Sequence, residues 1–123
     1  MKLVFITISI FVFLISCQDN NTDVNKFKTG TFNTFLEDMD ATSIAIRNDS
    51  IQIEIYNNVR DTFDIKWESN FEYILTKTRP KNELDSTPFH VKITGFENDS
   101  YTFKASYKGS KYIQKGKAIK LKD

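Results

Sequence analysis

The sequence predicts an all-β domain, and three observations support that prediction. Apolar and polar side chains alternate in short runs along most of the chain, as a half-buried antiparallel strand requires. The apolar members are mainly β-branched or aromatic, which favours strands over helices. Clusters of Asn, Asp, Ser and Gly separate the runs, and these residues are typical of tight hairpin turns.

The alternating runs define about eight strands. In a run such as Ile51, Ile53 and Ile55, which alternates with polar residues, we expect the apolar set to face the core. The same interpretation applies to Phe63, Ile65 and Trp67 further along the chain. The predicted strands cover residues 27–35, 42–48, 51–57, 61–67, 71–78, 89–97, 101–107 and 111–121.

Short turn signals connect these strands. Residues 48–50 and 98–100 are the same tripeptide, Asn-Asp-Ser, and each can close a tight hairpin because Asn and Asp tolerate positive φ. The longest connection, residues 80–88, has room for a short helix. Gly30 and Gly116 interrupt the alternation of the first and last strands, so we predict a β-bulge at each of them.

Strands joined by short connections usually pair with their neighbours in sequence. The chain therefore predicts an antiparallel up-and-down meander that forms a small lipocalin-like barrel or half-barrel. A two-layer β-sandwich is the alternative, because it has the same local pattern. The inward aromatic side chains are bulky and indicate a filled interior, although an eight-stranded barrel can also hold one small ligand.

The N-terminus has the pattern of an export signal. Lys2 precedes an apolar run from Leu3 to Ile15, and a run of this length fits the roughly 7–15 apolar residues of a signal-peptide core. A membrane-spanning helix needs about 20 such residues. Polar residues follow the run at once, which predicts export of the remaining chain.

The end of this signal is chemically specific. The sequence Leu14-Ile15-Ser16-Cys17 resembles the lipobox of bacterial lipoproteins. The resemblance implies cleavage between Ser16 and Cys17 and attachment of acyl chains, palmitate among them, to Cys17. An ordinary secretory signal and an uncleaved anchor are the alternatives. Gln18 replaces the Asp that retains other lipoproteins at the inner membrane, which favours the outer membrane and leaves the leaflet open.

These predictions divide the chain into a signal peptide at 1–16, a lipidated Cys with a flexible tether at 17–26, and one β domain at 27–123. Removing the signal leaves 16 basic and 16 acidic residues. A balanced charge argues against nucleic acid as a partner, because nucleic-acid binding needs clustered positive charge. Cys17 is the only cysteine, so the domain has no internal disulfide.

No combination of residues predicts catalysis or a cofactor. His90 is the only histidine and lies on the outward side of its predicted strand, whereas structural zinc takes four ligands. The acidic residues 37–40 lack the spacing of a calcium loop. Asp61 and Asp64 are expected to face water. We therefore predict that the chain is not an enzyme, has no metal site, and has a ligand site that the sequence does not identify.

Several segments of the mature chain carry a family resemblance. They are residues 27–32, 47–51, 67 with 72–75, 99–103 and 115–118. The chain resembles a family of small flavobacterial lipoproteins of unknown function, which implies a lipid anchor and a compact β domain and implies no established activity. Members often carry the automatic name DNA topoisomerase IV. This name is not supported, because the chain has an export signal and has no phosphate-binding loop.

The opening Gly30-Thr31-Phe32 is also similar to the Gly-x-Trp opening of lipocalins, with Phe in place of Trp, and this favours a barrel over a sandwich. The sequence therefore predicts a membrane-anchored domain of the cell envelope with a non-enzymatic binding or accessory role. Its partner would be another envelope protein. The alternative is a lipocalin-like carrier of a small hydrophobic ligand.

Overall fold

The computed structural model describes residues 23–123 and shows a closed barrel of eight antiparallel strands. The predicted all-β meander is confirmed, and the alternative sandwich is not formed. Each strand pairs with the next, and the first strand also pairs with the last. The strands are β1 (Gly30–Leu36), β2 (Thr42–Arg47), β3 (Ile51–Tyr56), β4 (Val59–Trp67), β5 (Glu72–Lys77), β6 (Phe89–Phe96), β7 (Ser100–Tyr107) and β8 (Gln114–Lys122).

A short 3₁₀ helix, Val24–Lys28, precedes the barrel. Sequence analysis assigned its residues partly to the tether and partly to a first strand beginning at residue 27, and that strand in fact begins at Gly30. The helix forms because the side chain of Asp23 accepts a hydrogen bond from the Asn25 backbone N–H at its start. Its one buried side chain, Phe27, points into the barrel.

The helix covers one end of the barrel, which we call the closed end. Three side chains bond to carbonyls or amides there: Lys26 donates to the carbonyl of Asn98, Lys28 to the side chain of Asn70, and Lys120 to the carbonyl of Lys26. The turns at 48–50, 68–71 and 97–99 lie at this end. The loops at 37–41, 57–58, 78–88 and 108–113 lie at the opposite end, which we call the open end.

The predicted orientation of side chains is right for most of the barrel. Apolar residues of β4 to β7, such as Ile65, Leu75, Val91 and Phe103, are buried in the interior. The two Asn-Asp-Ser turns are confirmed as hairpin connections. A third hairpin turn, Asn57-Asn58, joins β3 to β4 and has positive φ at both residues. The 78–88 loop forms successive turns and carries no helix.

The prediction for β2 and β3 is wrong, because both strands place their isoleucines on the outside. Arg47 and Gln52 are opposite each other and buried in the interior, and Ala45 is opposite Glu54 on the same face. The intervening residues must then point outward. They form a continuous surface that we call the isoleucine face, made of Ile44, Ile46, Ile51, Ile53 and Ile55.

The two glycines predicted to form bulges have different roles. Near Gly30 the strand is irregular, as predicted, but the irregularity lies just after Gly30: the pairing of β1 with β8 shifts register between Thr31 and Phe32. At Gly116 it is wrong, because the register is regular on both sides. A Cβ on Gly116 would lie 2.4 Å from Cζ of Phe103 and 2.5 Å from the carbonyl oxygen of Phe35. Gly116 therefore lets an interior ring pack against the backbone.

Replacing Gly116 by alanine is expected to lower the free energy of unfolding by about 1–3 kcal/mol, as overpacking of a core usually does. Urea unfolding followed by circular dichroism measures this change. Gly95→Ala is the matched control, because its Cβ would meet only the hydroxyl of Thr102, at 3.2 Å. Equal stabilities of the two variants would contradict this account of Gly116.

Candidate binding cavity

A cavity of about 400 Å³ occupies the half of the barrel nearer the open end. Its rim includes Leu36, Met39 and Tyr56, and its floor is formed by Arg47 together with two tyrosines, Tyr73 and Tyr101. The predicted filled interior therefore holds only for the half nearer the closed end, where aromatic rings pack around Phe27.

Arg47 is the centre of the floor and is 4% exposed. Its Nε donates to Oε1 of Gln52 at 2.9 Å, and its Nη1 donates to the carbonyl oxygen of Phe27 at 2.7 Å. Its Nη2 donates to the hydroxyls of Tyr73 and Tyr101 at 3.2 and 3.0 Å. The guanidinium thus joins the N-terminal helix, β3, β5 and β7 in one network.

Aromatic rings surround the same guanidinium. Its Cζ lies 4.6 Å from the ring centre of Phe32 and 4.8 Å from that of Tyr73. Trp67 lies at 5.8 Å from Cζ and packs against Tyr73 with ring centres 4.7 Å apart. Such contacts stabilise a cation that has left water. Trp67 is the only tryptophan in the chain, so its fluorescence reports on this floor.

The two tyrosine hydroxyls are also bonded to each other, with their oxygens 2.9 Å apart. Burial raises the pKa of Tyr73 well above its ordinary value, and the neighbouring Tyr101 raises it further. The Tyr73 hydroxyl is close to the Arg47 charge, yet the effect of desolvation on the pKa of Tyr73 outweighs the attraction of that charge for the ionised form. Tyr73 therefore stays protonated and can act as a hydrogen-bond donor.

The side wall formed by β3 and β4 is acidic. Glu54 accepts a hydrogen bond from Nε2 of Gln52 at 3.3 Å and lies directly opposite Asp61 on β4. Burial raises the pKa of Glu54, and the Asp61 charge adds to this effect, while the Arg47 charge only partly offsets it. Asp61 lies 3.9 Å from Nζ of Lys77, which also contacts Asp85 at 2.7 Å.

Glu54→Gln is expected to stabilise the domain at pH 7 by about 0.2–1 kcal/mol. It removes a buried carboxylate whose desolvation the Arg47 charge only partly offsets, and which faces the like charge of Asp61 across the strands. A carboxyl with a raised pKa stabilises the fold fully below its ordinary pKa near 4.5, and this contribution is lost as the pH rises through the folded-state value. The advantage of the variant should therefore grow as the pH rises from 4 to 8.

Urea unfolding of both proteins at several pH values measures this trend. Glu72→Gln, the same change at an exposed position on β5, is the control and should show no such gain. A Glu54→Gln protein less stable than the wild type at pH 8 would contradict the interpretation.

The opposite side of the cavity is apolar. It consists of side chains from β4 to β7, namely Phe63, Leu75, Phe89, Val91 and Phe103. Four lining residues, including Phe89 and Tyr107, also border a second depression of about 690 Å³ beneath the 78–88 loop. The cavity thus has one polar wall and one apolar wall, and it shares part of its apolar wall with the depression beneath this loop.

The predicted site residues lie elsewhere. Ser16 and Cys17, the predicted cleavage and lipidation residues, are outside the described residues. His90 is exposed on the outer face of β6, as predicted. Asp64 is exposed on the outer face of β4, as predicted. Asp61 is also exposed, but it lies on the inner face of β4 opposite Glu54 and belongs to the cavity wall. In the described range there is no cluster of three or more potential metal ligands, and the absence of a metal site remains a prediction.

Sequence reasoning missed Arg47, Gln52 and Glu54. A signal for them existed in the Asn57-Asn58 turn. A two-residue hairpin pairs Tyr56 with Val59, and this register places Gln52 opposite Phe63 on one face. If Phe63 faces the interior, Gln52 does so too.

Comparison with protein-family models, with curated proteins and with solved structures finds no match to this chain. Within residues 23–123, no helix has the length and apolar character that crossing a membrane requires.

Proposed function

We propose that this protein is a lipid-anchored binding protein of the cell envelope, whose barrel holds one small amphiphilic molecule without converting it chemically. The cavity of about 400 Å³ is the observation that supports this proposal most strongly. It falls within the range of about 300–1,000 Å³ that is typical of small-molecule sites. The alternative that sequence analysis left open, a carrier of a small ligand, is thus the better-supported function.

The two walls of the cavity indicate the kind of molecule. Apolar side chains such as Leu75 and Val91 would cover one side of a ligand, while Gln52 and Glu54 offer hydrogen bonds to the other. A few polar groups in a mainly apolar site fix the orientation of a ligand. An amphiphilic molecule fits this division better than a pure hydrocarbon.

The point where the chain enters the barrel supports an orientation on the membrane. The segment after Cys17 joins the 3₁₀ helix, which covers the closed end. From Cys17 to Asp23 the chain can reach at most about 22 Å, because each residue adds at most about 3.6 Å. A lipid on Cys17 would hold the closed end toward the membrane and direct the open end away from it, so the ligand would exchange with the aqueous side.

Lipid attachment is tested by labelling cells with palmitate. We expect incorporation into the wild-type protein and none into Cys17→Ala, because the Cys17 thiol would accept the lipid. Protease treatment of intact cells then distinguishes surface display from a periplasmic location. Label that persists in Cys17→Ala would refute the anchor.

Binding is tested by calorimetric titration of the full-length protein with 1-octanol, sodium octanoate and octylamine. At least one of these probes should bind with a stoichiometry of one. Val91→Phe fills the cavity and should abolish binding, whereas His90→Phe adds the same ring on the outer face of β6 and should not. Absence of binding by all three probes, or equal binding by both variants, would contradict the proposal.

A second candidate function is an accessory role through contact with another envelope protein. The isoleucine face favours it, because its half-buried and exposed side chains form contiguous apolar surface, which often marks a protein interface. Ile46 on this face is 37% exposed. A photo-crosslinker at Ile53 should then capture one envelope protein that a crosslinker at Thr94, on the outer face of β6, does not capture. The same products from both positions would argue against this role.

A further inference from the structure

The floor of the cavity retains hydrogen-bond donors that the protein does not use. The Arg47 guanidinium carries five N–H groups. Four of these N–H groups have acceptors in the described part of the chain: the N–H of Nε, one N–H of Nη1 and both N–H groups of Nη2. The second N–H of Nη1 has no acceptor among residues 23–123.

A second unused donor follows from the tyrosine pair. Nη2 of Arg47 donates to both hydroxyl oxygens, since a guanidinium nitrogen does not accept. The hydrogen bond between the two hydroxyl oxygens uses only one hydroxyl proton. Tyr73 and Tyr101 have two such protons, so one hydroxyl proton remains. Both tyrosines are more than nine-tenths buried and line the cavity, which leaves the cavity as the place for its acceptor.

The positive charge at the floor also has no direct partner. All four acceptors of Arg47 are neutral groups, and none of the ion pairs formed by residues 23–123 includes Arg47. Glu54 is separated from it by Gln52, and Asp61 contacts Lys77. A buried cation is expensive to desolvate unless an anion compensates it.

We propose that the floor formed by Arg47, Tyr73 and Tyr101 binds the carboxylate of the ligand, so that the natural ligand class is a small carboxylic acid with an apolar tail. This inference rests on the proposed function and specifies its ligand. A carboxylate lies well in the plane of a guanidinium, so one of its oxygens would accept the second N–H of Nη1 of Arg47. The carboxylate would also accept the remaining tyrosine proton. The tail would lie against Leu75, Val91 and Phe103.

The cavity limits the length of the tail. Water occupies about 30 Å³ per molecule, so about 400 Å³ has room for roughly a dozen non-hydrogen atoms. A straight-chain acid of about eight to ten carbons matches this size. Glu54, on the wall above the floor, would repel the carboxylate when ionised, and its removal should strengthen binding of the acid relative to the alcohol.

Calorimetric titration with sodium octanoate and 1-octanol tests the proposal, and Trp67 fluorescence provides a second readout. We expect octanoate to bind at least about tenfold more tightly than octanol, because charge-assisted hydrogen bonds are stronger than neutral ones. Glu54→Gln should strengthen the binding of octanoate relative to that of octanol. The double variant Tyr73→Phe with Tyr101→Phe should weaken octanoate more than octanol. A single Tyr→Phe change leaves one free hydroxyl proton and should have less effect.

A measurement on the wild-type protein avoids any effect of these substitutions on folding. In carbon-13 NMR of octanoate labelled at its carboxyl carbon, the bound carboxylate should remain ionised to a lower pH than free octanoate, because Arg47 stabilises the anion. Equal affinities of octanoate and octanol, or a bound carboxyl that titrates at or above the free value, would overturn the carboxylate proposal and leave the binding function intact. If octylamine binds and octanoate does not, the carboxylate proposal alone fails; if none of the three probes binds, both proposals fail.

Discussion

Replacing Arg47 by alanine is expected to lower the free energy of unfolding by about 3–5 kcal/mol, the range seen when a large, hydrogen-bonded interior side chain is truncated. The substitution leaves the carbonyl oxygen of Phe27 and Oε1 of Gln52 without the donor that Arg47 supplies. It also removes the cation against which the rings of Phe32 and Tyr73 pack. The N-terminal helix would lose one of its attachments to the barrel.

Urea unfolding measures this loss, with Arg60→Ala as the matched control on the exposed part of β4. The control should have little effect, because its side chain lies outside the barrel. Arg47→Lys should also destabilise, because one ammonium has only three donors and lacks the planar geometry of the guanidinium. An Arg47→Ala protein as stable as the wild type would show that the network contributes nothing to folding.

Phe27→Ala is the second substitution with a large expected effect, about 3–5 kcal/mol. The ring is 0% exposed. It stacks on Phe96 at 5.5 Å and meets the edge of Tyr101 at 5.4 Å, measured between ring centres. Truncation would leave a void beneath the cavity floor and loosen the 3₁₀ helix from the closed end.

Hydrogen exchange distinguishes this local loosening from a general loss of stability. In Phe27→Ala, amide protection should fall most at the closed end, in β1 and in the turn at 97–99. Leu84→Ala is the control, because Leu84 is 82% exposed in the 78–88 loop and its truncation should leave protection unchanged. An equal change in amide protection throughout the Phe27→Ala barrel would contradict the assigned role of the ring.

Much of this fold follows from local sequence. The period of two and the turn residues specify the strands, and all eight are present with ends shifted by a few residues. The choice between barrel and sandwich is not local, because it depends on the pairing of β1 with β8, more than 70 residues apart in the chain. No pattern within a single strand contains that pairing.

The N-terminal helix shows how tertiary contact outweighs a local pattern. Residues 24–28 have no helical periodicity long enough to recognise. The segment becomes helical because Asp23 caps it and because the barrel end accepts Phe27 and supplies donors to its carbonyls, including Arg47. An isolated segment this short would not form a stable helix in water.

The candidate site was missed because its sequence pattern favours the opposite face. Ile44 and Ile46 on β2, and the isoleucines of β3, are what an inward face usually contains, while Arg47 and Glu54 are what an outward face contains. Burial of Arg47 is possible only because four acceptors converge on it, three of them from segments at least 20 residues away in the chain. That convergence exists only in the folded barrel.

The orientation of β2 is therefore the central claim, and the accessibility of two consecutive residues tests it most directly. In a Cys17→Ala background, the reaction rates of Ala45→Cys and Ile46→Cys with a maleimide are compared under native conditions. Ala45 is 1% exposed and Ile46 is 37% exposed, so Ile46→Cys should react rapidly and Ala45→Cys should be protected until the protein unfolds. Rapid reaction at position 45 with protection at position 46 would place the isoleucines inside and contradict the cavity, its floor and the proposed ligand together.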